Sequence, residues 1–186
     1  MGKSLLILFL IMLLPYSSSH ASDLSSASRD YRMAHNLLAS GQSRDALSLY
    51  QKLLASPPQG VTVNDIYTRI GDSYVRLGSF DNALDAYRAA IKDQKESEQP
   101  ATQYWIGFCC FLLHRDAEAV SEFLKIPQRY PRSGMWVGTA YYWAGRASER
   151  MGNTEDAAQC YRKAGGSSNS TQGKFALKKA AAVKGP

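Results

Sequence analysis

Arg76, Arg146 and Arg150 are the side chains of this 186-residue sequence best suited to hold a partner. A guanidinium offers a planar fork of donors that fits a carboxylate or a backbone carbonyl. Arg146 and Arg150 are four apart and share a helix face, with Glu149 beside them. Between Arg76 and this pair lies the segment 104–113, Tyr-Trp-Ile-Gly-Phe-Cys-Cys-Phe-Leu-Leu, which is apolar all round. An apolar centre with basic flanks suits a short amphipathic or acidic protein segment. Groups for bond-making chemistry are not assembled in this way. The histidines His20, His35 and His114 and the cysteines Cys109, Cys110 and Cys160 make no spacing of a zinc site. No Gly-rich phosphate loop, Gly-x-Ser-x-Gly elbow or His-Glu-x-x-His motif occurs. Asp45, Asp81, Asp116 and the Glu155-Asp156 pair each fall near an expected helix start, where they complement the helix dipole. The expectation is a non-enzymatic binding protein with no catalytic residues, no metal and no cofactor.

A repeat positions these residues. Gly71, Tyr74, Gly78, Ala83 and Tyr87 return as Gly107, Ala119 and Phe123, then as Gly145, Gly152, Ala157 and Tyr161. Backwards, the same order appears as Ala34, Gly41, Ala46 and Tyr50. A period of about 37 residues, with small and aromatic residues in fixed order, predicts a stack of helical hairpins. The small residue on each first helix lets the second approach, and the aromatic fills the space between hairpins. Gly41, Gly78 and Gly152 end a helix in the left-handed conformation without steric cost. His114 stands there in the third copy, so its turn is expected to differ. Pro58 and Pro131 close the first and third units, since proline cannot continue a helix.

The pattern resembles the tetratricopeptide repeat family, most closely through Tyr67, Ile70, Gly71, Tyr74, Gly78, Ala83, Tyr87 and Ala90. The resemblance implies an all-α, right-handed α-solenoid of about four hairpins, near 27–60, 64–97, 100–133 and 138–166. It also implies an inner groove, lined by the first helices, that grips extended peptides or helices. In the family register the groove receives Tyr31, His35 and Leu38, then Thr68, Asp72 and Arg76. Tyr104, Phe108, Phe111 and Leu112 follow, then Tyr142, Arg146, Glu149 and Arg150. Phe108 and Phe111 are either a partner patch or a face covered from within the chain, by a neighbouring hairpin or the C-terminal segment.

Residues 1–21 read as a cleaved signal peptide: Lys3, an apolar run at 5–14, and Ser19-His20-Ala21 at the cut. An uncleaved anchor is the alternative, but so short a run does not span about 30 Å of hydrocarbon. Residues 22–26 form a serine-rich mobile leader, and 166–172 a flexible loop by composition. Residues 173–186 form a basic capping helix and tail, with Lys174, Lys178 and Lys179 lining its solvent side. The cysteines are expected as small apolar core residues.

Tyr130-Pro131-Arg132-Ser133, followed by Ala140-Tyr141-Tyr142-Trp143-Ala144-Gly145, resembles the tandem repeats of bacterial envelope coordinators. The stretch from Tyr141 to Ala147 is also similar to the helical superhelix of soluble lytic transglycosylases. These resemblances imply a periplasmic adaptor that binds a protein segment of an envelope assembly. The alternatives are a cell-wall polymer (peptidoglycan) binding accessory and a self-associating solenoid. The net charge of +6 suits an anionic surface, while export argues against a nucleic-acid partner.

Overall fold

The computed structural model describes residues 16–167 and 171–183, and side chains within them for 26–167 and 173–183. The apolar run at 5–14 and residues 168–170 of the expected loop lie outside the described residues. Among those described, all regular structure is helical: α1 (Tyr16–Ala39), α2 (Ser43–Leu53), α3 (Val63–Arg76), α4 (Phe80–Ile91), α5 (Gln99–Leu112), α6 (Asp116–Arg129), α7 (Gly134–Arg150), α8 (Thr154–Gly166) and α9 (Thr171–Val183). Each helix packs on the one before and the one after it, and α5 also meets α7. The result is four antiparallel hairpins stacked as an α-solenoid, closed by α9 against α8.

Local chemistry sets the helix ends. Thr62 and Asp65 form a capping box at the start of α3, with Asp65 N donating to Thr62 Oγ1 at 3.1 Å and Thr62 N to Asp65 Oδ2 at 2.8 Å. Pro100 occupies the first turn of α5, where its missing N–H costs nothing. The four turns within hairpins close identically. A backbone N–H bonds back five residues, from Gln42 to Leu37, Ser79 to Tyr74, Arg115 to Cys110 and Asn153 to Ser148, at 2.8–2.9 Å. The residue before each donor is left-handed: Gly41, Gly78 and Gly152, and also His114 at φ 59°. The expectation of a different third turn is therefore corrected. The helix pair demands the same geometry there, and histidine adopts it.

The rings of Tyr87, Phe123 and Tyr161 lie directly against Gly71, Gly107 and Gly145 of their own hairpins. This corrects their expected place between hairpins, although Tyr87 also stacks on Trp105 of the next one. The side chains of α5 are covered from α4, α6 and α7, which explains a sequence apolar on every face. Cys109, Cys110 and Cys160 are free and buried, as expected of core residues. Burial, first of all, pushes the Cys109 and Cys110 thiols up to about 12.

Residues 22–26, expected as a leader, continue α1, and the expected loop is cut at both ends, by Gly166 in α8 and Thr171 in α9. On α9, Ala176 and Ala180 are buried while Lys174 and Lys178 face solvent. Lys179 does not line the solvent side, because its Nζ reaches Glu149 Oε2 at 2.9 Å.

Candidate functional site

α1, α3 and α5 are first helices of successive hairpins, and between them opens a cavity of about 410 Å³. His35, Leu38 and Ala39 line it from α1, and Arg69, Asp72, Val75 and Arg76 from α3. Trp105 of α5 and the ring of Tyr87 complete the wall, stacked on each other with centroids 6.1 Å apart.

The charges of this cavity do not cancel. Asp72 is committed twice, accepting from the Tyr87 hydroxyl at 2.8 Å and from Arg69 Nη1 at 3.1 Å. Burial first, and Asp72 after it, pushes the Tyr87 phenol far above its ordinary range, so it remains a donor. Burial works against the charge on Arg69, but Asp72 and Tyr31 outweigh it and the guanidinium pKa is raised. Arg76 and His35, by contrast, have no hydrogen-bond or ion-pair partner among the described residues. One cation and one imidazole therefore stand uncommitted beside an aromatic wall.

The structure brings His35, Asp72 and Arg76 together, with Leu38 at their side, and places the other expected residues elsewhere. Tyr31 lies edge-on to Tyr50 at 5.8 Å. Thr68 turns its hydroxyl back to the carbonyl of Asn64. Tyr104 stacks on Phe108 at 5.7 Å and Phe108 on Phe111 at 6.3 Å, with Trp143 of α7 edge-on to both phenylalanines. Phe111 is only 9% exposed, Phe108 and Leu112 are half-buried, and Trp136 also meets Tyr104. The reading of Phe108 and Phe111 as an open partner patch is corrected. So apolar a helix needs cover, and α7 supplies it with two tryptophans.

Arg150 is corrected as well. It bonds to both carboxylate oxygens of Asp116 and to the carbonyl of Phe111, with its guanidinium 3.8 Å from the centre of the Phe111 ring. It clips α7 to the third hairpin through Nε and Nη2. Arg146 lies 5.8 Å from the Trp143 ring centre and 4.0 Å from Glu149. Tyr142 packs between Trp143, Tyr161 and Phe175.

Arg69, Val75 and Trp105 are cavity residues that the sequence reading missed. Arg69 and Trp105 stand two positions before the small residues Gly71 and Gly107, three before Asp72 and Phe108. Helical spacing puts those positions on the groove side, and the pairing of Arg69 with Asp72 was the available signal.

Two tetratricopeptide repeat models match the sequence, over residues 68–133 and 138–164. The chain belongs to the tetratricopeptide repeat family. No curated protein matches it significantly. Among solved structures, one titled "Crystal structure of MamA protein" is similar at TM-score 0.62 and 17% identity, over 85% of this chain and 87% of that one. "MamA AMB-1" gives 0.62 and 15%, over 86% and 83%, and an "RS-1" MamA double mutant 0.62 and 14%, over 85% and 94%. At such identities the likeness is one of fold. Tetratricopeptide repeat proteins are generally non-catalytic adaptors, and membership of the family supports a protein-interaction adaptor or scaffold.

Proposed function

We propose that this tetratricopeptide repeat protein is exported to the bacterial periplasm and serves as an adaptor of an envelope assembly, holding a peptide or helix of its partner in the concave cavity. The observation that carries the reading is the uncommitted Arg76 and His35 beside the Trp105 wall. Such a site offers a protein segment both charge and apolar contact. The signal-peptide pattern and the Tyr130–Ser133 resemblance support the location.

The test is photo-cross-linking in the native host from position 105, with exposed Lys174 as control. One dominant protein adduct, absent from the control, is expected. Adducts only to further copies of the chain would replace the reading with self-association. No adduct, together with sedimentation of the purified protein with insoluble cell wall, would replace it with polymer binding. Export is checked by N-terminal sequencing of the periplasmic form, expected to begin at Ser22.

A further inference from the structure

The last described helix, α9, keeps the register of a first helix. Ala176 and Ala180 are buried where it packs on α8. They continue the series of buried pairs on the first helices: Ile66 and Ile70, Thr102 and Ile106, Ala140 and Ala144. Lys179 fixes the register a second time. Its Nζ lies 5.9 Å from the ring centre of Tyr161, in the place where Trp105 stacks on Tyr87 one repeat earlier. Ala181 therefore stands at the position of Gly71, Gly107 and Gly145. In those three hairpins an aromatic ring of the second helix lies on the small residue. Over Ala181 no described helix lies. It is exposed, and Leu177, one turn before it, is 49% exposed.

A group on α8 is unanswered at the same boundary. Arg88, the residue after Tyr87, donates to Glu118 on the second helix of the next hairpin. Glu118 immediately precedes the small residue Ala119, and Phe123 follows four residues after that. Arg162, the residue after Tyr161, stands at the register of Arg88. It is exposed and has no hydrogen-bond or ion-pair partner among the described residues. The charge around it has one sign. From Ala157 to Pro186 there is no Asp or Glu, whereas Arg162, Lys163, Lys174, Lys178, Lys179 and Lys184 all fall there. Among the described residues of this stretch, Lys179 alone is paired with a carboxylate.

We infer that α9 is the first helix of a fifth repeat whose second helix is contributed by a partner polypeptide, as an acidic amphipathic helix. The repeat itself specifies that helix: a glutamate, then a small residue, then an aromatic four residues later. The aromatic covers Ala181 and Leu177, as Tyr50 shares a core with Ala34 in the first hairpin. The glutamate meets Arg162, and further acids meet Lys174 and Lys178. Apolar contact thus supplies the seat, and charge selects what sits in it. The surface is separate from the concave cavity, and the inference does not depend on what that cavity holds.

The experiment is a two-dimensional amide NMR titration of the full purified chain with acetyl-Ser-Pro-Glu-Glu-Ala-Leu-Glu-Ala-Phe-Glu-Lys-Ala-Leu-Glu-amide at up to about 1 mM, a range that reads weak binding. Shifts are expected at the amides around Arg162, Leu177 and Ala181, and none from a peptide of the same composition in scrambled order. Ala181→Trp, at an exposed position, fills the seat of the aromatic and should abolish them. Arg162→Glu should weaken binding about fivefold, the scale of an exposed ion pair. A peptide with Arg in place of the Glu before its first Ala should recover that loss. Equal shifts from the scrambled peptide, shifts confined to the amides around Trp105, or unaltered binding by Ala181→Trp would overturn the inference. Movement of these amides by phosphatidylglycerol vesicles but not by the peptide would replace the helix with a lipid surface. A dimer in sedimentation equilibrium that Ala181→Trp dissolves would replace it with a second copy of the chain.

Discussion

The ring of Tyr87 occupies the space a side chain on Gly71 would need: a Cβ there would sit 2.6 Å from Cε1 of that ring. In an open helix Gly→Ala stabilises by about 1 kcal/mol. Here the ring is fully buried and has nowhere to go, so Gly71→Ala should destabilise by about 1–3 kcal/mol despite the helix gain. Gly134, at the start of α7, has nothing within 4 Å of its would-be Cβ. Gly134→Ala should be neutral or slightly stabilising. Urea denaturation of the two variants reads the difference in sign.

His114 is the one described non-glycine residue at positive φ, in a turn that otherwise matches its three glycine counterparts. The left-handed conformation costs an ordinary residue about 1–2 kcal/mol. His114→Gly should therefore raise stability by about 1 kcal/mol and leave the turn unchanged. A rise in thermal midpoint with an unaltered far-ultraviolet circular dichroism spectrum would show it.

Tyr50 and Tyr87 should respond oppositely to loss of a single oxygen. Tyr87→Phe strips Asp72 of one donor and should cost about 1–3 kcal/mol. Tyr50→Phe removes a buried hydroxyl without a partner and should be neutral or stabilising. A matched loss at both positions would mean that the Tyr50 hydroxyl is satisfied in solution.

Glu149 gives the C-terminal cap a pH dependence. Burial alone would raise its pKa, but the hydroxyl of Tyr161 and the ammonium of Lys179 prevail and hold it below the usual carboxylate value. A folded pKa below the unfolded one means that the unfolded chain takes up the proton first. The stabilisation is thus complete above the unfolded value of about 4.3 and is lost as pH falls below it. In urea midpoints measured from about pH 6 to pH 3, Glu149→Gln should be less stable at the upper end and show a shallower fall toward the lower.

The period of the sequence made the hairpins legible, because the small residue and the aromatic must both recur for two helices to close on each other. Gly71 and Tyr87 announced their contact in this way. What the sequence did not disclose was which way α5 faces. Phe108 and Phe111 look outward in the register of a single hairpin, and only the packing of α7 shows Trp136 and Trp143 lying over the run. Arg150 was misread for a related reason: its partner Asp116 lies a whole repeat earlier, so proximity along the chain pointed to Glu149 instead. Arg115 and Asp81 follow the same rule, at 2.6 Å. In the family register His35, Asp72 and Arg76 fall on the groove side of the first helices, and they line one cavity.

The buried core is divided, and α3 belongs to both larger parts. Its Ile66 and Ile70 pack with Ala34, Tyr50 and the rest of the first hairpin, whereas its Tyr74 and Val75 pack against the long cluster running from Ala83 to Cys160. α4 is shared in the same way, with Ala86 in the first block and Ala83, Leu84 and Tyr87 in the second, so any flexing between the blocks must pass through the second hairpin. The cavity straddles the same joint, with His35 on one block and Trp105 on the other. A segment seated there would work as a splint, so that gripping a partner and stiffening the spine would be one mechanical event.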